Sequence, residues 1–473
     1  MSLGRSSGAP FGSGLVALAI AALTVCRVLT PDSYLSLYAG RYIDQHGIPH
    51  HDPFTVAGHG RVWIDQQWLF HLVAYDLWRV DGYRAVGLAS ALAYATAIAL
   101  LVVAIRRRGV STGPAMVAVA PAAIVLLTHV QIWAEVAALP LFMATVVVLL
   151  GQSPVTRLTP AALWSLPILA LWANVHGSVL LGAALVAAYA TWRLVRDGRS
   201  WIAGALIVGA AACVLITPYG WEIEGYYRSV LGSSAIRQEL PIWNHATLSD
   251  FYSREFFLLV AISIGFLVAA RRKGRLIDPV IVAGALVLMI AGLESVRNQT
   301  WFCFGQAILL ADCIGALWSR RLLTPGGWRL LGVLSVVAAV GAVVAQQRTG
   351  DAFYERLAPM GALPVIAHSA EADGHATILA DFTTSNPLLW HYPSLAGRVA
   401  FDTRIEVFDP AEARRWLRFN EAKPGWRRLA AEYRLVAASG HVHLALVDAI
   451  RSDPVLRTLY YRDNDVVASN PAT

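Results

Sequence analysis

Charge is what this sequence has least of. Only 15% of its 473 residues are Asp, Glu, Lys or Arg, against 56% hydrophobic residues, and mean hydropathy is +0.53. So few charges cannot cover a water-facing surface of this size, which excludes a soluble globular chain. Cysteine is equally scarce. All four, Cys26, Cys213, Cys303 and Cys313, fall inside apolar runs, so no disulfide framework holds the hydrophilic segments. No G-x-G-x-x-G and no P-loop occurs in the polar C-terminal part, so nucleotide binding has no support there. No internal repeat of the kind that builds transporters from two halves is visible, which counts against a transporter or flippase for a lipid-linked glycan. Such a transporter, and a non-catalytic scaffold on the same fold, remain the alternatives to an enzyme.

What is present is a series of apolar runs about twenty residues long, the length a helix needs to cross hydrocarbon with its own backbone hydrogen bonds satisfied. Spans are expected at 11–30, 84–105, 113–130, 132–150, 160–174, 176–193, 201–217, 255–270, 278–293, 299–318 and 328–345. The first run has only Arg5 before it and no small-residue cleavage site, so it reads as an uncleaved helix. The net charge of +7 is concentrated in short connections: Arg106 to Arg108, Arg193 to Arg199, Arg271 to Arg275, and Arg320 with Arg321. With the N-terminus inside, every cluster falls on the cytoplasmic side, the positive-inside arrangement, and a nucleic-acid partner is not needed to explain the charge.

The expectation is therefore an α-helical polytopic membrane protein of about eleven spans. Residues 1–345 form the transmembrane domain, with a long first outer loop at 31–83. Residues 346–473 form a soluble, extracytoplasmic α/β domain, with strands at 377–380, 399–401, 435–438 and 456–461 and helices at 410–420 and 425–433. The localisation implied is a plasma (inner) membrane, multi-pass. Polar groups able to do chemistry gather on the outer side.

The first outer loop opens Pro31-Asp32-Ser33 and continues SLYAGRYIDQHGIPHHDPFT at 36–55 and WIDQQWL at 63–69. WANVHG follows at 172–177, TPYGW at 217–221, SVRN at 295–298 and RVAFDTRIEVF at 398–408. In this order the segments resemble the bacterial GT-C type membrane glycosyltransferases, in which an acidic residue opens a long first outer loop. The resemblance covers nearly the whole chain. It implies sugar transfer, inverting, from a polyprenyl-phosphate-linked donor to a lipid, glycan or protein acceptor among membrane lipids. Two departures stand out. The aromatic pair and His usual after the first Asp are replaced by Ser33, Tyr34 and Ser36, and an Arg-Pro common near the fourth span reads Trp133-Ala134-Glu135.

Asp32 is the residue the resemblance marks as base or metal ligand facing the acceptor. A phosphate leaving group needs no proton donor, so one carboxylate suffices. The plain alternative is that Asp32 caps the helix after it, although Leu35 does not complete a capping box. His51, Asp52, Asp65 and Gln67 form a second cluster of substrate-binding candidates, with Asp52 before Pro53 also readable as a turn residue. No cofactor is required; His50 and His51 beside Asp52 could ligate a divalent metal, but they lack a helical ligand spacing. His129 and Glu135 flank a turn at the outer boundary, as interfacial groups or substrate contacts. Asn174 and His176 lie between two short spans beside Gly177, where a helix-breaking turn is the alternative. Arg297 and Asn298 end the segment before the tenth span; Arg297 could hold a lipid phosphate or pair with Glu294. Asp402 and Arg404 read as an ion pair at a strand end, and Asp312 as a packed polar group bonded to a neighbouring helix.

Overall fold

The fold was analysed in a computed structural model, which describes residues 28–129, 131–153, 156–232, 240–318 and 344–471, with a few positions between 333 and 341. Helices cover nine of the eleven expected spans. The first and the last span fall almost wholly outside the described residues. The first described helix, α1 (Pro31–His46), belongs to the loop expected at 31–83. Then come α2 (Trp68–Arg107), α3 (Thr112–His129), α4 (Ala134–Leu150), α5 (Ser165–Trp172), α6 (Val179–Asp197) and α7 (Trp201–Val214). A short α8 (Ile223–Gly232) precedes α9 (Phe251–Arg272), α10 (Pro279–Glu294) and α11 (Gln299–Leu317).

Four of these helical stretches are long and apolar enough to cross a membrane: Trp68–Arg107, Val179–Asp197, Ser253–Arg272 and Val296–Leu317. Five shorter apolar helices pack among them. At 1.5 Å per residue, the 17 residues of α4 reach about 25 Å, short of a full hydrocarbon core, so such helices rely on neighbours to shield their ends. Large apolar side chains such as Ile124, Val208 and Val287 remain exposed on the bundle, the surface lipid would cover. α2 is two helices joined at a break: Asp81 and Gly82 leave helical geometry, and Gly82 takes a φ of 57°. The break separates an arm, 68–80, from the apolar span expected at 84–105.

The basic ends of the helices are tied together. Arg108, just after α2, grips Asp312 of α11 at 2.7 Å and 3.1 Å and reaches Asp278 before α10 at 3.3 Å. Asp312 is thus bonded to a neighbouring element, as its place inside an apolar run requires.

Beyond residue 350 the chain forms a four-stranded sheet in the order β1-β2-β4-β3, with β1 (Ile378–Ala380) parallel to β2 (Leu435–Ser439) and β4 (Asp465–Ser469) antiparallel between β2 and β3 (Arg457–Arg462). The β4 strand was not expected. It is short and follows the turn Asp463–Asn464, where both residues take a positive φ, so too little alternation is left to read. The strand expected at 399–401 is a bridge instead: Val399 pairs with Ile378 on one side and with Thr55 of the first outer loop on the other. The helix expected at 410–420 is present, whereas that at 425–433 shrinks to Trp426–Ala430.

The outer loop therefore continues the edge of the sheet, with Val56 donating to the Val399 carbonyl at 2.7 Å. Behind this bridge sits a buried charge network. Arg404 bonds Asp402 at 2.6 Å and Asp52 at 2.7 Å, and Tyr38 of α1 donates to Asp402 at 2.8 Å. Its guanidinium lies over Trp63 and Phe54, 4.3 Å and 4.9 Å from the ring centres. Breaking a buried pair leaves an uncompensated charge, at about 3–5 kcal/mol. Arg404→Met, which strands two carboxylates, should lower the melting temperature sharply, measured by thermal denaturation in detergent.

The expected outer placement of the tail is tested at Ser452, which is exposed, while Cys213, Cys303 and Cys313 are buried. Ser452→Cys should react with a membrane-impermeant thiol reagent in intact cells. Labelling only after lysis would place the tail inside.

Candidate active site

One cavity of about 160 Å³ forms where the outer loop, the bundle and the sheet region meet. Its wall includes Asp32 and Ser36 from α1, Gln67 before α2, Glu135 at the start of α4, His176 before α6, Tyr226 from α8, Arg297 before α11, and Thr403 and Glu406 from the C-terminal part. Residues far apart in sequence thus share one space.

Asp32 does not cap α1. The N-terminus of that helix is held by Thr30 and Ser33, with the Ser33 hydroxyl accepting from the Thr30 N–H at 3.0 Å and donating to the Ile132 carbonyl at 2.7 Å. Asp32, one turn-position inside, is free of that duty and faces the cavity. Burial pushes its carboxyl above the usual carboxylate range; a hydrogen bond from Thr403 and the charges of Arg297 and His71 pull the other way. Thr403 is itself oriented, since its hydroxyl accepts from Asn386 at 2.8 Å and its proton is left for Asp32. The same Asn386 amide holds the Pro31 carbonyl at 2.8 Å, fixing α1 from the other side. α1 can lie this close to α2 because Gly40 meets the His71 carbonyl: a Cβ there would come within 2.1 Å of that oxygen.

Arg297 does not pair with Glu294, which lies 3.6 Å from His245 instead. It turns inward, 2.8 Å from Nε2 of His176 and 3.7 Å from the buried Glu135 carboxylate, with Trp243 under the guanidinium at 5.0 Å. Nδ1 of His176 lies 2.7 Å from the Ser178 hydroxyl, so an Nδ1–H donated there leaves Nε2 to accept from Arg297. The imidazole is then neutral and holds the arginine without cancelling its charge.

The remaining candidates divide. Gln67 lines the cavity. Asp65 sits just behind it, bonded to His71 at 2.9 Å and to the Gln67 N–H at 3.2 Å. Asn174 is a clamp: it accepts from the Trp68 indole at 2.8 Å and donates to the Ala170 and Ile216 carbonyls. Asn298 bonds the Ala291 carbonyl at 3.1 Å and does not line the cavity. Asp52 belongs to the Arg404 network, and His51 is exposed and bridged to Val62. His129 ends α3, and its side chain lies outside the described residues. Among the described residues no group of three or more His, Cys, Asp or Glu side chains is placed to hold a metal ion.

Sequence reasoning did not find Thr403, Asn386, Tyr226, Glu406 or His71. Only Thr403 and Glu406, inside the RVAFDTRIEVF segment, carried any signal.

No protein-family model matches the sequence, and no curated protein matches it. Solved structures do. The chain is similar to the arabinofuranosyltransferase AftD from Mycobacteria, with a TM-score of 0.53 and 14% identity over 99% of this chain and 40% of that one. It is also similar to ArnT from Cupriavidus metallidurans in the apo state, with a TM-score of 0.52 and 15% identity over 98% of this chain and 97% of that one. At this identity the likeness is one of fold, and the fold is that of the GT-C membrane glycosyltransferases.

Glu406 gives the cavity a pH signature. Enclosure by protein raises its carboxyl from 4.5 to about 7. Below pH 4.5 it is protonated folded or unfolded; above 7 the folded chain carries the cost of a desolvated charge. Glu406→Gln should therefore be more stable than the native chain at pH 8 and no different at pH 4, read from melting temperatures across that range.

Proposed function

We propose that this chain transfers a sugar from a polyprenyl-phosphate-linked donor to a lipid, glycan or protein acceptor at the outer face of the membrane. The observation that carries this reading is that one cavity gathers an oriented carboxylate, Asp32, and an inward-turned arginine, Arg297. Two demands of the reaction are met by those groups. Asp32 accepts the proton of the acceptor hydroxyl as its oxygen attacks the anomeric carbon. As the bond from that carbon to the phosphate oxygen breaks, Arg297 balances the charge collecting on the leaving phosphate. Attack from the side opposite the phosphate inverts the configuration.

A lipid donor suits the architecture. An isoprenoid tail in the bilayer holds the phosphate at membrane depth and restricts its search to two dimensions, so the protein needs only a local cationic contact for the headgroup. Arg297 lines the cavity, whereas Arg228 of α8 is exposed and bonded to Glu224.

In lipid nanodiscs, the full-length chain should transfer sugar from undecaprenyl-phosphate-linked pentoses or hexoses and not from nucleotide sugars. Asp32→Asn should reduce kcat by about 10³-fold with an unchanged melting temperature, the scale of a lost general base. Arg297→Ala should cost about 10²–10³-fold in kcat, as for removal of a donor to a developing anion. Transfer from a nucleotide sugar without polyprenyl phosphate, or full activity of Asp32→Asn, would refute the reading.

A further inference from the structure

The polar groups that line the cavity fall into two sets. Asp32, Thr403, His176 and Arg297 are each held by another residue of the chain. Glu406, Tyr226 and Gln67 line the same cavity, yet among the described residues their side-chain polar atoms bond no other residue. An unpaired carboxylate in an enclosed place is costly, and enclosure raises the Glu406 carboxyl to about 7. Polar groups that converge on a cavity and lack partners within the chain are the ones a ligand can satisfy.

Glu406 is fixed for that use. It sits in the short turn Ile405–Val407, which closes from the Val407 N–H to the Arg404 carbonyl at 3.1 Å and from the Phe408 N–H to the Ile405 carbonyl at 3.2 Å. Ile405 and Val407 are buried on either side of it, and Arg404 just before is locked to Asp402 and Asp52. α8 packs on this turn and supplies Tyr226. The Tyr226 hydroxyl in turn approaches Gly177, where a Cβ would lie 3.5 Å from it and 3.3 Å from Oε1 of Gln66, the neighbour of Gln67 in the chain. Glu406, Tyr226 and Gln67 therefore follow one another around the wall.

The reaction dictates what faces that wall. With the donor phosphate at Arg297 and the acceptor hydroxyl at Asp32, the anomeric carbon lies between them, and the hydroxyls of the sugar ring fall against the rest of the cavity. We infer that Glu406 reads the transferred sugar: its carboxylate accepts a hydrogen bond from one ring hydroxyl, with the Tyr226 hydroxyl and the Gln67 amide as further contacts beside it. This rests on the reading of Asp32 as base and Arg297 as phosphate contact. No bond is made or broken at Glu406, which is a binding and specificity-determining residue. The ligand class is a pentose or hexose with a free hydroxyl at the position facing Glu406. A sugar deoxygenated there is rejected, because it leaves the carboxylate enclosed and unpaired.

The test uses the full-length chain in nanodiscs, first with undecaprenyl-phosphate-linked pentoses and hexoses and then with each monodeoxy analogue of the sugar transferred best. The native chain should lose about 10–100-fold in kcat/KM on one analogue, the scale of a hydrogen bond to a charged group. Glu406→Ala should lose as much on the parent donor and be indifferent to that same deoxygenation, while discriminating the other analogues as the native chain does. Comparing variant with native chain cancels the intrinsic reactivity of each analogue, and a merely structural role would leave the discrimination unmoved. Glu406→Gln keeps an acceptor and should cost less than the alanine while shrinking the same discrimination, so the comparison holds even where Glu406→Ala does not fold. If Asp32→Asn is inactive while the Glu406 variants discriminate every analogue as the native chain does, the inference is refuted and the base assignment stands. Indifference to a deoxygenated acceptor in place of a deoxygenated donor also overturns it. An active Asp32→Asn, or a native chain with no transfer from any linked sugar, overturns the reading of the site and this inference with it.

Discussion

Arg404 is the constraint on which the cavity end of the molecule depends. One guanidinium holds Asp402 beside it and Asp52 from a loop some 350 residues earlier, and Tyr38 of α1 closes the network through Asp402. Two aromatic rings under the charge exclude water from it. A buried pair of this kind adds little to stability over a well-packed apolar substitute, but it tolerates very few arrangements of the chains that supply it. Here it sets the first outer loop, α1 and the edge of the sheet in one geometry.

The candidate site inherits that geometry. Thr403, which bonds Asp32, lies between Asp402 and Arg404 in the chain, and Asn386 ties Thr403 and Pro31 together with one amide. The base is thus oriented from the C-terminal part, while Arg297 is oriented from the bundle by His176, Glu135 and Trp243. Neither half forms the cavity alone. The polar groups responsible are costly to bury, and Asp32, Thr403 and Arg297 each find a partner from a different segment.

The helical framework serves mainly to bring these segments to one end. The Arg108 clamp on Asp278 and Asp312 locks the ends of α2, α10 and α11 away from the cavity, and the break at Asp81–Gly82 separates the arm of α2 from its span. Short helices such as α4 and α5 then end near the cavity, where Glu135 and His176 enter its wall.

What the sequence by itself determined is whatever depends on local composition. Runs of apolar residues dictate helices in lipid because each helix satisfies its own backbone, so nine helices could be placed to within a few residues, and the motif order around Asp32, Gln67, His176 and Arg297 was legible without coordinates. Only the tertiary structure decided what those side chains do. Asp52 and Asn174 look like ligand contacts in sequence and are structural anchors, because their partners Arg404 and Ile216 are remote. Arg297 has an acidic neighbour three residues away and pairs instead with Glu135, and Asp32 could cap a helix that Thr30 and Ser33 already hold. A short polar side chain can satisfy itself locally or across the fold with similar energy, and the choice is made by which partner the packing brings within about 3 Å.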